Sequence, residues 1–561
     1  MRHRRPPRRP VDRRRHARAP HRRCPARTPP RRDRGAGRQH LGGVLGRRLE
    51  GRLGARRIGP SRMGRRRTEA DRNTEVKLSE SSNLRALLEA LGTPAPAEAS
   101  AGEVQDALAA SLQAAIDAGG RWDDLWLVWS TLRGELPTEE ELVVFQRNAT
   151  LNGAGEALRG LGERADSSIF GLSAEVEILT DAIVIDVHNT SSTRVMSGIQ
   201  RVVRETVGLW AQEHEVVLVA WTESRKGLRR LTPREEARMR GDDEEAIVSL
   251  APARERIVIP NGGRVFVPEL SADSERAERF LALGEFASSK LAFIGYDCVP
   301  LTSGETAAGA MAAHFPLYLD AVAYADRVAA ISQSTADEFD AWKKMLPSSG
   351  RTGPDVRTVF LGGDSAAPSE VDLAAVKAEL ELSDLPVVLV VGSHEPRKNH
   401  LSVLQAARAL WTRGEQFQLV MIGAGSWNSA PFDQLSQHLQ DEGWPLTVLS
   451  NASDHILGAS YRLATVSIFT SFHEGFGLPI VESLRAGTPV IASDLGSMAE
   501  IAAHYGGVIG VDPHSDEALE AALHSVLTDP SVLEGKKRDL AGNDYRSWKS
   551  YADEVWEYFT A

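Results

Sequence analysis

Apolar positions recur at two different spacings along this chain. From about Ser79 to Glu163 they follow a helical period: Leu84, Leu87, Leu88 and Leu91 make one stripe, and Val104, Leu108, Leu112 and Ile116 another. Thr138 and Glu141, just after Pro137, have the spacing of a capping box and predict a helix start. Trp122, Trp126 and Trp129 lie close together, the pattern of a packing core between helices rather than of a ligand platform. Residues 76–165 are expected to form a small helical domain suited to docking or oligomerisation.

From about Val176 the pattern changes to short β-branched runs alternating with helical segments. The first series is Ala182–Asp186, Val216–Ala220, Ile257–Pro260, Leu291–Asp297, Arg327–Ser332 and Thr358–Gly362. After an Ala- and acid-rich stretch around Ser365–Asp384, a second series follows: Pro386–Gly392, Gln418–Gly423, Leu446–Ser450, Val466–Ser471, Pro489–Asp494 and Gly507–Asp512. Continuous apolar strands separated by helices imply parallel sheets covered on both faces. Two α/β domains are therefore expected, doubly wound and facing each other across a cleft, over 176–375 and 376–545, with a terminal helix over 546–561. Ligands of such sheets sit beyond the carboxyl ends of the strands, so the loops after these runs should hold the chemistry.

Composition alters this picture at one end only. Of the 561 residues, 42% are apolar and 25% charged, as in a soluble protein with sizeable cores. The net charge of −10 hides two unlike segments. Residues 1–72 hold 26 arginines, no lysine and five acids, a formal +21, which leaves −31 on the remaining 489. That Arg-, Pro- and Gly-rich stretch has too few apolar side chains to offset the entropy of ordering, so 1–75 reads as a disordered tail. It is either inert, or a translated upstream segment with Met63 as the start, or an electrostatic arm for nucleic acid or anionic lipid. No function is assigned to it. Two cysteines, Cys24 and Cys298, exclude a disulfide framework and a four-cysteine zinc site, and they fit a reducing cytoplasm. No run approaches the ~18 apolar residues of a membrane span, and no signal-peptide core follows the basic N-terminus. A soluble, intracellular protein is expected.

Two loops of the second series carry candidate chemistry. After Pro386–Val391 come Gly392, Ser393, His394, Glu395, Pro396, Arg397, Lys398 and Asn399. A glycine lets the chain turn sharply, and Arg397 and Lys398 supply a fork and a point charge where a helix start also favours anions. This suits a diphosphate, although basic pairs at helix starts are commonly just solvated. The second loop, Thr470–Glu482, follows the strand ending at Phe469. Gly475 and Gly477 around Phe476 permit close backbone approach to a ligand, ahead of a helix that starts near Pro479. Glu474 can accept hydrogen bonds from sugar hydroxyls, and Glu482, about two turns into that helix, can chelate a ribose diol.

Glu474–Glu482, an acid pair eight residues apart, together with the segment Ala486–Asp494 behind it, resembles the retaining glycosyltransferases of family 4. The likeness extends to Glu395–Asn399, to Gly423 and Gly425, to Ser197–Arg201, and to Tyr296–Leu301 and Ala325–Ser332. The sequence is most similar to bacterial mannosyl- and rhamnosyltransferases that build O-antigen, capsule and exopolysaccharide. Trp548–Phe559 resembles the last helix of that GT-B fold, which crosses back onto the first domain.

The resemblance implies a GT-B enzyme transferring a hexose with retention, best matched by mannose from GDP-mannose, to a lipid-linked or polysaccharide acceptor. UDP- or dTDP-sugar donors and a catalytically silent scaffold are the alternatives. It implies that Lys398, assisted by Arg397, holds the donor diphosphate. Glu474 and the backbone of Phe476, Gly477 and Leu478 would hold the sugar, with Glu482 on the ribose and Gly392 and Ser393 at the donor loop. Gly198 would approach the phosphates, with Arg201 beside it. No cofactor and no metal is implied, because the basic pair and helix dipoles stand in for a cation at the leaving group. No Asp-x-Asp element follows a strand, and Asp242–Glu245 reads as a solvated run.

Two positions depart from the family pattern. Ser393 stands where many members carry Arg, and Tyr296-Asp297 where many carry His. Asp297 either orients a substrate hydroxyl or caps the turn before Pro300. His188, His394 and His473 lie near strand ends and could reach the cleft or serve as structural groups. The basic run Arg225, Lys226, Arg229, Arg230, Arg234, Arg238 and Arg240 suits either a solvated helix face or peripheral contact with the inner face of the plasma membrane.

Overall fold

The computed structural model describes residues 82–119, 121–163, 175–194, 197–242, 255–304, 309–364, 368–450 and 452–561. The Arg-rich tail, Met63, Cys24 and the acids 243–245 lie outside them. Among the described residues no helix is long and apolar enough to cross a membrane.

Among the described residues, helices precede the sheets over 82–90, Ala101–Asp117, Trp122–Arg133, Glu139–Asn152 and Ala154–Glu163. The capping box forms: Thr138 accepts from the Glu141 amide at 3.3 Å, and the Glu141 carboxylate accepts from the Thr138 amide at 2.9 Å. Trp126 and Trp129 are buried, and Trp122 packs on Phe286 at 4.8 Å between ring centres. These helices share one continuous core with the first sheet, in which Leu125 and Leu136 join Val184, Ile257 and Phe293. The tryptophans therefore close the helical layer onto the sheet domain.

Among the described residues fifteen strands follow: β1 (Glu175–Thr180), β2 (Ile183–Asp186), β3 (Val217–Trp221), β4 (Leu228–Arg230), β5 (Arg256–Asn261), β6 (Arg264–Val267), β7 (Lys290–Gly295), β8 (Arg327–Ala330), β9 (Asp355–Thr358), β10 (Val387–Val391), β11 (Gln418–Ile422), β12 (Leu446–Leu449), β13 (Val466–Phe469), β14 (Val490–Ser493) and β15 (Val508–Val511). The first nine form one sheet in the order β1-β5-β4-β3-β2-β6-β7-β8-β9, parallel except at β4. The last six form a wholly parallel sheet, β12-β11-β10-β13-β14-β15. This second order reverses between β10 and β13, and such a reversal opens a crevice beyond the strand ends. Both candidate loops, after β10 and after β13, flank that crevice.

The first series differs from expectation in several places. β1 and β4 fall outside the expected runs, and the three-residue β4 pairs antiparallel with both neighbours, where a parallel sheet was expected. The segment Ile257–Arg264 holds two strands, β5 and β6, split by Gly262 and Gly263, both with positive φ. They do not pair: β5 lies beside β1 and β4, and β6 beside β2 and β7. A side chain on Gly263 would stand 2.2 Å from the Ala182 carbonyl, so the crossing needs glycine there. The last run is shifted, since β9 ends at Thr358. Val359 and Leu361 leave the sheet and pack into a core shared by the two sheet domains with Phe476, Ile480 and Val481.

The chain passes between the domains twice, at one seam. Gly363 donates to the Arg546 carbonyl at 3.1 Å, and a Cβ on Gly362 would fall 2.3 Å from the Ser547 carbonyl oxygen. Asp364 ties the seam by accepting from the Trp548 amide at 2.9 Å and pairing with Arg485 at 2.6 Å. Helix Trp548–Thr560 then lies on the first domain, where Trp210 donates to the Ala552 carbonyl at 2.9 Å and Trp556 stacks on His214 at 3.7 Å. Two Rossmann-like domains, joined this way and facing across a cleft, make the GT-B fold.

Candidate active site

Gly392 ends β10 with φ 149°, and its amide bonds the Ile422 carbonyl at 2.9 Å. The approach is tight, since a Cβ on Gly423 would sit 1.8 Å from the Gly392 carbonyl oxygen. The chain then makes a single 3-10 turn, Pro396–Lys398, before helix His400–Thr412 begins behind Asn399 at φ 58°. Arg397 and Lys398 therefore stand on a turn ahead of the helix, not in its first turn, and project toward the loop after β13.

There they meet Glu474. Its carboxylate bonds the Lys398 ammonium at 2.6 Å through one oxygen and the Arg397 guanidinium at 2.7 Å through the other. Arg397 also reaches the His473 carbonyl at 2.5 Å and Glu395 at 3.1 Å. Burial alone would raise the Glu474 pKa, but the two adjacent cations outweigh it and hold the carboxyl at about 2. Arg397, against the desolvation that disfavours its charge, is held more firmly cationic by Glu474 and Glu395. Two cations, Arg397 and Lys398, thus meet two carboxylates, Glu474 and Glu395, in a crevice with little water to screen them. Ser393 points back to Glu395 at 2.8 Å.

Glycine shapes the second loop as well. Gly477, at φ 129°, caps helix Leu478–Arg485. Glu482 therefore lies one turn in rather than two, because the helix opens only at Leu478. Phe476 turns its ring away from the cleft and packs on Phe360 at 4.8 Å, leaving the peptide of the glycine loop facing it. Ser497 fixes that loop by donating to the Glu474 and Phe476 carbonyls at 2.8 and 2.7 Å.

The first domain closes the site. Ser332 and Thr335 donate to the Gly475 carbonyl at 2.7 and 3.1 Å. Asp297, half-buried beyond β7, lies so close that a Cβ on Gly475 would be 3.0 Å from its Oδ2. Its Oδ1 accepts from the Val299 amide at 3.2 Å, the turn cap foreseen for it. Burial first, then Glu474 and Glu338, push the Asp297 pKa up against Arg397. Gly198 opens helix Gly198–Glu213 beside Leu478, and Arg201 on that helix crosses to Glu482. The structure thus gathers Arg397, Lys398, Glu474, Asp297 and Gly475 at one end of the cleft, and Arg201, Gly198, Leu478 and Glu482 at the other.

The histidines divide. His188 accepts from the Trp221 amide at 3.2 Å, and His394 stacks on Phe432 at 4.0 Å, both structural placements. His473 bonds Glu338 of the first domain at 2.7 Å, and that bond raises its pKa above the ordinary 6.5. This tie strengthens folding below the ordinary pKa and is lost as pH rises through the raised value. In denaturant melts, Glu338→Gln should therefore cost more stability at pH 6 than at pH 9. An equal cost at both would remove His473 from the argument.

Several partners escaped the sequence reading: Glu395 on Arg397, Glu338 on His473, and Tyr461, whose phenol donates to Glu482 at 2.9 Å. The basic run is largely committed to internal bonds, with Arg229 on Glu235 at 2.7 Å and Arg230 on Glu177 at 2.7 Å. Among the described residues no group of three or more His, Cys, Asp or Glu is placed to hold a metal ion.

Residues 374–548 match the family model described as glycosyl transferases group 1. The matched segment spans the six-stranded domain and both loops of the crevice. Serotype-specific mannosyltransferase WbdA of Escherichia coli is 31% identical over 243 residues, covering 42% of this chain and 29% of that protein. O-antigen chain mannosyltransferase B of Escherichia coli is 28% identical over 240 residues, 40% of this chain and 62% of that protein. D-inositol 3-phosphate glycosyltransferase of Rhodococcus jostii is 28% identical over 247 residues, 42% and 53% respectively. The chain thus spans less than two thirds of the length of each of these relatives. Among solved structures, sucrose-phosphate synthase from Thermosynechococcus elongatus overlays with TM-score 0.49 at 18% identity, over 68% of this chain and 98% of that one.

Proposed function

We propose that this protein is a retaining hexosyltransferase of family 4. In this reading it transfers mannose from GDP-mannose to a lipid-linked or polysaccharide acceptor during cell-surface glycan synthesis, at the cytoplasmic side of the membrane. One observation carries the reading: Arg397, Lys398 and Glu474 converge in a buried triad at the strand-order reversal, inside the segment that matches glycosyl transferases group 1. The names of the Escherichia coli relatives favour mannose.

The triad suggests how the chain works. Glu474 and Glu395 together balance the two cations. An incoming donor exchanges partners, its diphosphate taking Lys398 and Arg397 while its sugar hydroxyls take the Glu474 carboxylate. Breaking the anomeric bond puts negative charge on the diphosphate, so contacts that tighten on the leaving group lower the barrier. Departure and attack on the same face retain the anomeric configuration. Asp297, one side of which faces Gly475, is placed to orient a hydroxyl near the sugar.

A thermal-shift panel of GDP, UDP, dTDP and ADP on the wild type and Lys398→Ala tests this. A nucleotide at 100-fold its Kd stabilises by about 2.7 kcal/mol, well within reach of the measurement. Stabilisation by GDP alone, lost in the variant, is the expected result. A preference for UDP or dTDP would keep the transferase and replace mannose. No shift with any nucleotide in folded protein would overturn the reading in favour of a scaffold.

A further inference from the structure

The two oxygens of Glu482 have partners of different kinds. Oε2 accepts from Tyr461, a buried residue of helix Asp454–Leu463 in the same domain. The backbone there is held too, since Thr488 donates to the Tyr461 carbonyl at 2.7 Å. Oε1 pairs instead with Arg201, which comes from the other domain and also touches the Asp364 carbonyl at 3.5 Å. One partner is built into the domain that carries Glu482; the other reaches across the cleft. A carboxylate grips a vicinal diol well only if its plane is fixed, and a single buried donor on one oxygen fixes it. Burial and the neighbouring carboxylate keep the Tyr461 phenol protonated, so it donates at any working pH.

We propose that Tyr461 is a positioning residue that locks the Glu482 carboxylate with Oε1 toward the ribose, so that the site discriminates ribonucleoside from 2′-deoxyribonucleoside diphosphates. The proposal rests on the donor reading above. It concerns Tyr461, which touches Glu482 and not the substrate, and it makes a dTDP-sugar a poor donor for this cleft.

The test measures Kd by calorimetry on the full chain, for GDP and 2′-deoxy-GDP and for UDP and 2′-deoxy-UDP. A hydrogen bond to a charged group corresponds to roughly 10- to 100-fold in affinity, so the wild type should prefer the ribonucleotide by about that factor. Tyr461→Phe should shrink this preference several-fold, weakening the ribonucleotides more than their 2′-deoxy forms, which keep only the 3′-hydroxyl. In a Glu482→Gln background, which removes the carboxylate, Tyr461→Phe should add nothing. If Tyr461→Phe folds poorly, Glu482→Gln alone, with Tyr461 in place, should abolish the ribose preference, and a preference retained there would overturn the proposal. Equal weakening of both sugars by Tyr461→Phe would show a merely structural role and overturn the proposal, as would an unchanged preference. Failure of the wild type to bind any of the four nucleotides would instead overturn the donor reading, and this inference with it.

Discussion

Lys398→Ala is expected to lower turnover of the nucleotide sugar by roughly 10²- to 10³-fold, the range seen when one donor to a developing oxyanion is removed. The structure says why the loss should fall on catalysis rather than folding. Glu474 keeps its second cation, Arg397, at 2.7 Å, so the variant leaves no buried charge unpaired. Lys398→Arg should rescue little. The pocket holding the ammonium is 12% exposed and already contains a guanidinium, and a planar fork does not replace a point charge there. Steady-state release of nucleoside diphosphate gives the answer. A loss below about 10-fold would mean that Lys398 is not on the leaving group.

The largest effect on stability should come from a site outside the donor loops. Arg276 is buried beneath the first sheet's own strand-order reversal, bonded to Asp186 at 2.9 Å and to Asn189 at 3.0 Å, with Glu269 at 3.8 Å. Asp186 ends β2 and Glu269 follows β6. Between them they fix the short helix His188–Ser192, because Asp186 accepts from the His188 amide at 3.1 Å and Glu269 from the Asn189 and Thr190 amides at 2.7 and 2.6 Å. Arg276→Met would leave two buried carboxylates without their cation, at a cost of about 3–5 kcal/mol in urea melts. Burial first, and Asp186 next, raise the Glu269 pKa to about 7. The folded state therefore holds a proton there that the unfolded chain has released, and stability falls as pH rises from about 4.5 to about 7. Arg276 opposes that rise, so its removal should extend the fall upward in pH. The variant should lose more at pH 8 than at pH 6. A loss under about 1 kcal/mol at both would mean that the cluster does not support the fold.

What the sequence disclosed follows from how far apart the partners lie along the chain. Runs such as Val387–Val391 and Leu419–Ile422 announce themselves because strands buried on both faces are apolar throughout. The two crevice loops stood out for a related reason. Their glycines, acids and bases sit within a few residues of a strand end, where local backbone geometry sets their position. β6 was hidden because four residues behind two glycines look like the tail of β5. Val359–Leu361 misled in the opposite sense, being apolar to fill the space between domains rather than to form a strand. The partners of the site were beyond reach: Tyr461 precedes Glu482 by 21 residues and lies on another helix, while Glu338 and His473 come from different domains. No periodicity encodes such pairs.

The seam at Gly362–Gly363 and Ser547–Trp548 also governs the order in which the molecule can be completed during synthesis. Helix Trp548–Thr560 covers Trp210 and Phe266 of the first domain, with Phe559 5.0 Å from the Phe266 ring. It emerges from the ribosome only after the entire second domain has been made. Until then the first domain carries an uncovered aromatic patch, the kind of surface that recruits chaperones or other nascent chains.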